Sequence, residues 1–174
     1  DLETVKNLRA SILQLAVQGK LVEQDPDDEP ASVLLDTIAK ERESIIATGI
    51  INRLKSIPKI LDDDIPFTVP PLWCWGRYNE LLRFIDYRGK TPPKVENGTP
   101  LITAKNVKKG FISRRPHEYI TEKYYHKWMT RGFPEIGDIL LTVEAPLGNV
   151  ALVDIEDRFA LAQRVICLQP WDKN

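Results

Sequence analysis

The hydrophobic residues of this chain change their spacing part-way along the sequence, and that change limits the fold more than any other feature. Over residues 2–18 they recur every three or four positions, which is typical of one face of a helix. After residue 72 they fall into short runs bounded by Gly, Pro or Asn, such as those at 100–103 and 139–143. The pattern predicts an α+β protein with an N-terminal helical hairpin followed by a mixed, mainly β domain.

Three segments are predicted from this pattern and from the distribution of proline. The helical hairpin covers residues 1–48, a proline-rich linker covers 49–71, and the mainly β domain covers 72–174. Gly19 is placed to end the first helix in a left-handed conformation. The chain starts without Met and stops in an apolar run, so we expect a part of a longer protein with an incomplete last domain.

Composition excludes several classes of protein. Hydrophobic residues make up 43% of the chain and charged residues 28%, which is typical of an ordered globular protein. Two cysteines, Cys74 and Cys167, without a CxxC pair, exclude a disulfide scaffold and a structural zinc site. No apolar run approaches the roughly 18 residues of a membrane span, and no signal peptide is recognisable. We therefore expect a cytoplasmic protein that makes no membrane contact.

The sequence contains no complete catalytic motif. The run Gly89-Lys90-Thr91 resembles the end of a phosphate-binding loop, but Phe84 occupies the position where that loop needs glycine. The G-x-G-x-x-G, HExxH and G-x-S-x-G motifs are absent from the sequence. Asp138 and Glu144 flank one predicted strand, but they lack the lysine that a metal nuclease places beside such carboxylates. We therefore predict no catalytic residue and no metal site, with a stand-alone nuclease as the least favoured alternative.

Positive charge is concentrated in one part of the chain. Residues 83–131 contain twelve basic and four acidic side chains, although the whole chain has a net charge of −1. Such a local field survives a neutral total because salt screens charges beyond about 8–10 Å. The segment suits a polyanion, with nucleic acid as the first candidate, and a solvated basic surface is the alternative.

Four stretches of the sequence resemble the specificity subunit of type I restriction-modification systems. They are LRASILQLAVQGKLV at 8–22 with its continuation to 35, PLWCWGR at 71–77, GDILL at 137–141 followed by Gly148-Asn149, and ALAQRV at 160–165. The first stretch is long and highly specific, and the other three occur in the same order as in the family. The resemblance implies an N-terminal helical segment and one target recognition domain.

The resemblance also implies a division of labour between subunits. Such a subunit is non-catalytic and reads one half of a bipartite site in double-stranded DNA with each recognition domain. The modification (methyltransferase) subunits and the restriction subunits dock on it. S-adenosylmethionine, ATP and Mg are then bound by those partners, and no cofactor is expected in this chain.

Contacts to phosphates position a protein on DNA, whereas contacts to base edges select the sequence. The segment 87–106 is predicted to face DNA. The side chains expected to contact it there are Arg88, Lys90, Thr91, Lys94, Lys105 and Asn106. The side chains expected to hold phosphates are Lys108, Lys109, Arg114 and Arg115. Asp138, Asn149, Gln163 and Arg164 are left outside this predicted set.

A protein–protein docking module without direct DNA contact is the alternative function. In that interpretation the helical hairpin holds a larger enzyme and the basic surface is incidental. The apolar faces of the two helices either dock a partner helix or pack on the rest of this chain. The sequence leaves both possibilities open.

Overall fold

The computed structural model describes residues 1–49, 57–87 and 91–172, which form two compact units, 1–81 and 82–173. The first unit contains α1 (Leu2–Val17), α2 (Ala31–Ala47), a 3-10 turn (Asp62–Asp64) and α3 (Tyr78–Leu81). The second contains β1 (Leu82–Asp86), β2 (Thr99–Ile102), β3 (Tyr119–Ile120), α4 (Glu122–Trp128), β4 (Ile139–Thr142), β5 (Val150–Leu152), β6 (Ala160–Leu161) and β7 (Val165–Pro170). The α+β class predicted from the sequence is confirmed.

Both ends of α1 are fixed by local hydrogen bonds. The Asp1 side chain accepts a hydrogen bond from Thr4 N at 2.9 Å and so caps the first turn. Gly19 follows the helix with φ at 66°, and Lys20 N donates to Leu15 O at 2.8 Å. The predicted left-handed glycine at this helix end is confirmed.

The apolar stripe of α1 is largely uncovered by the described part of the chain. None of the helix residues is buried, and Val5 and Leu8 of this stripe are 63% and 60% exposed. By contrast, α2 buries Ile38 and contacts α3. Packing of the α1 stripe on the described residues is therefore not observed, and docking of a partner helix there stays a prediction.

Much of the predicted linker packs within the first unit, while residues 50–56 lie outside the described residues. Arg77 donates to Pro58 O at 2.9 Å and contacts Asp64 Oδ2 at 2.6 Å. Residues 73–75 fall at the start of the predicted mainly β domain, but they are irregular in the structure. Trp73 bonds within the unit, since its Nε1 donates to Gln24 Oε1 at 2.8 Å and its backbone N donates to Pro70 O at 3.0 Å.

The second unit contains two sheets around one core. The four-stranded sheet has the order β1-β7-β4-β5 and is antiparallel, and the three-stranded sheet has the order β3-β2-β6 with β2 and β6 parallel. Leu101, Leu140 and Phe159 are fully buried between these elements. Cys167 on central strand β7 is also buried, and this burial raises the pKa of its thiol.

Candidate nucleic-acid interface

The three-stranded sheet brings residues that are distant in sequence to one edge. Strands β2 and β6 run parallel, so the residues after their carboxyl ends, Thr103 and Ala162, lie side by side, and Ala162 N donates to Ile102 O at 2.9 Å. Strand β3 runs antiparallel to β2, which places the preceding residue, Glu118, at the same end. The Glu118 carbonyl accepts from Leu101 N at 2.8 Å, so its backbone position is fixed.

The loop between β4 and β5 completes this edge. Val143 N donates to Arg164 O at 3.2 Å, which holds the loop beside the turn that follows β6. The Arg164 guanidinium reaches across to Glu144, with Nε 3.3 Å from Oε2. Ala145 follows with φ at 36°, a left-handed conformation that is uncommon for residues other than glycine.

A groove of about 250 Å³ opens at this edge, and we call it the edge groove. Its lining residues are Thr91, Lys94, Thr103, Ala104, Lys105, Glu118, Ala145, Ala162, Gln163 and Arg164. Three residues of the predicted set, Thr91, Lys94 and Lys105, are therefore brought together. The predicted Arg88 and Lys90 lie outside the described residues.

Glu118 links the two lysines of the edge groove. Its Oε2 is 2.6 Å from Lys94 Nζ, and its Oε1 is 3.5 Å from Lys105 Nζ. The carboxylate side chain is 13% exposed, whereas the Lys94 and Lys105 side chains are 46% and 70% exposed. The groove thus presents donors on flexible stems around an acceptor that is held by the fold.

A second group of cations lies on a tight turn next to β5. The turn lies between Val107 and Ile112, which form an antiparallel bridge, and Gly110 within it has φ at 90°. Gly110 N donates to Val150 O at 2.8 Å, which fastens the turn to the sheet. Lys108 and Lys109 are exposed, and neither side chain forms an ion pair or hydrogen bond with a described residue.

The two arginines predicted to hold phosphates, Arg114 and Arg115, differ in whether a carboxylate already pairs with them. Arg114 Nη2 is 3.2 Å from Asp154 Oδ1, so part of its charge is already compensated. The Arg115 side chain is exposed and forms no ion pair or hydrogen bond with the described part of the chain. We call Lys108, Lys109 and Arg115 the free cations.

Asn106 is not at the surface, which corrects its predicted role as a base-reading side chain. It is 1% exposed. Its Oδ1 accepts from Thr103 N at 3.0 Å and from Thr103 Oγ1 at 2.9 Å, and its Nδ2 donates to the carbonyls of Ser113 and Pro116, each at 3.0 Å. All of its hydrogen-bonding capacity is used to hold the loop that carries Lys105.

Two other basic side chains of the 83–131 segment form hydrogen bonds within the second unit. Arg83 donates to Gln169 Oε1 at 3.2 Å and to the Arg131 carbonyl at 2.8 Å. The Arg131 guanidinium donates to the Asp86 carbonyl and lies 5.8 Å from the centre of the Tyr87 ring. Burial raises the pKa of the Tyr87 hydroxyl. The basic segment therefore supplies several separate groups of cations rather than one.

Sequence reasoning missed the acidic member of the edge groove. Glu118 lies 24 residues from Lys94 and 13 residues from Lys105, and no sequence spacing rule connects them. Gln163 and Arg164, left outside the predicted set, also line the groove. Parallel pairing of β2 with β6 brings them there, and local sequence does not reveal that pairing.

The carboxylates considered for a nuclease have other partners. Asp138 is 1% exposed, and its Oδ2 accepts from Gln169 Nε2 at 2.6 Å and from Glu135 N at 2.8 Å. Glu144 pairs with Arg164, as described above. Among residues 1–49, 57–87 and 91–172, no group of three or more His, Cys, Asp or Glu could hold a metal ion. No helix of this part of the chain is long and apolar enough to span a bilayer.

The fold and the edge groove together define an α+β protein that presents a cationic edge. The chain is 34% identical over 150 residues to the type I restriction enzyme EcoAI specificity subunit of Escherichia coli, which covers 86% of this chain and 25% of that protein. It is 43% identical over 83 residues to the EcoEI specificity subunit of the same organism, covering 48% of this chain and 14% of that protein. The chain thus matches part of a type I specificity subunit, which confirms the resemblance found in the sequence.

The chain spans about a quarter of the EcoAI relative's length. Two solved structures also align with it. The HsdS subunit from Thermoanaerobacter tengcongensis gives a TM-score of 0.41 at 21% identity, covering 83% of this chain and 33% of that one. A structure from work on complex assembly and conformational transition of the type I R-M system gives 0.42 at 17% identity, covering 99% and 37%. No protein-family model matches the chain.

Proposed function

We propose that this chain is part of a type I restriction-modification specificity subunit and that its second unit is a target recognition domain for double-stranded DNA. In this proposal the domain reads one half of a bipartite site. The observation that carries it is the 34% identity over 150 residues to the EcoAI specificity subunit. That match includes most of the chain, so it extends beyond the helical segment alone.

The arrangement of charges supports the DNA part of the proposal. The free cations have no acidic partner among the described residues, so they suit phosphate groups, which bind cations by releasing counterions. The edge groove combines lysine, arginine, glutamine and glutamate side chains, and this mixture suits base edges, which carry both donors and acceptors. Positioning and reading would then be separate tasks of neighbouring residues.

The proposed subunit is non-catalytic and acts through partners. Modification subunits would transfer methyl groups from S-adenosylmethionine, and restriction subunits would use ATP and Mg for translocation and cleavage. The DNA, these subunits and this chain would meet in the cytoplasm. The edge groove contributes recognition only, so substitutions in it are expected to redirect methylation and cleavage together.

A docking module without DNA contact is the second candidate function. The observation that favours it is the exposed apolar stripe of α1, which the described residues leave uncovered. The two candidates place function on different units of the chain. A measurement of DNA affinity therefore distinguishes them.

The test is the salt dependence of DNA binding by the full-length subunit assembled with its modification subunits. We expect the logarithm of the association constant to fall linearly with the logarithm of salt concentration. The three free cations alone predict a slope contribution of about −3, since each phosphate contact contributes roughly −0.9. Fluorescence anisotropy with a labelled duplex measures the slope. Salt-independent binding, or no binding by the assembled complex, would overturn the DNA-binding proposal and leave the docking module.

A further inference from the structure

The charge balance of the edge groove differs from that of the neighbouring free cations. Lys94 and Lys105 share one carboxylate, Glu118, and Arg164 is paired with Glu144. The free cations have no such partner within the described residues. A phosphate needs uncompensated positive charge, and the edge groove offers little of it. The groove is therefore built for a ligand that carries donors as well as acceptors.

The Glu118 carboxylate has a fixed position, whereas its lysine partners extend into solvent. Its backbone is hydrogen-bonded to β2 through Leu101 N, and its side chain is mostly buried. Each lysine is more exposed than the carboxylate, so the ammonium groups can adjust around it. The result is one fixed carboxylate acceptor with two mobile ammonium donors beside it at one edge of the sheet.

In the major groove of DNA, a G·C pair presents partners for both kinds of side chain in this trio. Guanine offers the acceptors O6 and N7, and cytosine offers the N4 amino donor. Lysine is a common partner of guanine O6 and N7, and glutamate accepts from cytosine N4. An A·T pair also carries an amino donor, adenine N6, but adenine is most often read by Asn or Gln, and the trio contains neither. The residue types therefore favour a G·C pair.

We propose that Lys94, Glu118 and Lys105 form a reading site for a G·C base pair, in which Glu118 is the specificity-determining residue. It accepts from cytosine and keeps both lysines away from phosphates. The inference rests on the proposed DNA-binding function. It goes further by assigning a base-pair class to a carboxylate in an otherwise cationic edge.

The variant that tests this is Glu118→Gln in the full-length subunit within the assembled enzyme. The amide keeps the shape but removes the negative charge and replaces one acceptor oxygen by the donor Nε2, so it holds the cytosine amino group and the two lysines less strongly. We expect the methylated sequence to relax at one G·C position of one half-site. We also expect non-specific duplex affinity to rise, with a salt slope steeper by about one to two units because one or two lysines reach phosphates. Methylation profiling and salt titrations measure these two effects.

Matched variants separate reading from folding and from bulk charge. Glu156→Gln makes the same charge change at an exposed residue without an ion pair among the described residues, and it should leave the methylated sequence and the slope unchanged. Lys105→Gln alters a 70% exposed side chain, so the fold is not at risk, and it should relax the same position. Glu118→Asp keeps the charge and should keep the salt slope near that of the unmodified enzyme.

The outcomes separate failure of the reading site from failure of the proposed DNA-binding function. If the unmodified complex binds no DNA, the proposed function fails. If it binds DNA and both Glu118→Gln and Lys105→Gln leave the methylated sequence intact, the reading site is refuted while the proposed function stands. Relaxation at an A·T position would overturn the assignment to a G·C pair.

Discussion

We expect replacement of Asn106 by alanine to destabilise the second unit by about 3–5 kcal/mol, because it leaves several buried polar groups without partners. The Asn106 side chain accepts two hydrogen bonds from Thr103 and donates to the carbonyls of Ser113 and Pro116. At 1% exposure, water has little access to replace these bonds. Denaturant unfolding of the full-length subunit, with hydrogen exchange to locate the loss in residues 99–120, measures the effect.

A matched change distinguishes this structural role from base reading. Asn97→Ala alters an exposed asparagine in the same unit and should change stability by less than about 0.5 kcal/mol. If Asn106 instead read a base, its alanine variant would fold normally and relax the recognised sequence. That result would contradict the hydrogen-bond network described here.

The largest effect on DNA binding is expected from reversing the free cations together. Lys108→Glu, Lys109→Glu and Arg115→Glu remove three candidate phosphate contacts and add three repulsions. At 0.1 M salt each lost contact costs about eightfold in affinity, so the triple variant should bind at least about 500-fold more weakly, with a slope shallower by roughly three units. The loss should be similar for all duplexes, because phosphate contacts carry no sequence information.

A charge reversal on α4 provides the control for the triple variant. Lys123 and Lys127 are exposed on this helix. It begins at Glu122, which accepts from Thr99 Oγ1 at 2.9 Å at the start of β2, whereas the edge groove lies at the other end of that strand. Reversal of these two lysines should therefore reduce affinity far less. If the two reversals on α4 cost about two thirds of the binding free energy that the three free-cation reversals cost, only total charge matters.

The elements that the sequence predicts well are those defined by local rules. Helix α1 ends where Gly19 supplies a left-handed residue, and β4 lies within the apolar run at 139–143 from which a strand is predicted. The stretch at 8–22, most of which lies in α1, also carries a specific family resemblance. Local periodicity and turn chemistry thus determine the fold class and the mainly β character of the second unit.

The features that sequence reasoning missed depend on contacts between distant residues. Strand β3 has only two residues and exists because it pairs with β2, while residues 73–75 alternate but have no partner strand. Asn106 lies in a basic, polar segment that looks exposed, yet the loop closes around its amide. Strand pairing, and not sequence proximity, brings Glu118 to the lysines of the edge groove. A count of charges along the sequence therefore does not indicate its role.

The most direct test of the central claim is an exchange of residues 82–173. This segment would be replaced in the full-length subunit by the corresponding segment of a specificity subunit with a different known target. Methylated sites would then be profiled in cells that carry the complete system. The account predicts that one half of the methylated sequence changes to that of the donor while the other half and the helical unit's assembly are retained. An unchanged methylated sequence in an assembled, active enzyme would contradict the claim that this unit reads DNA.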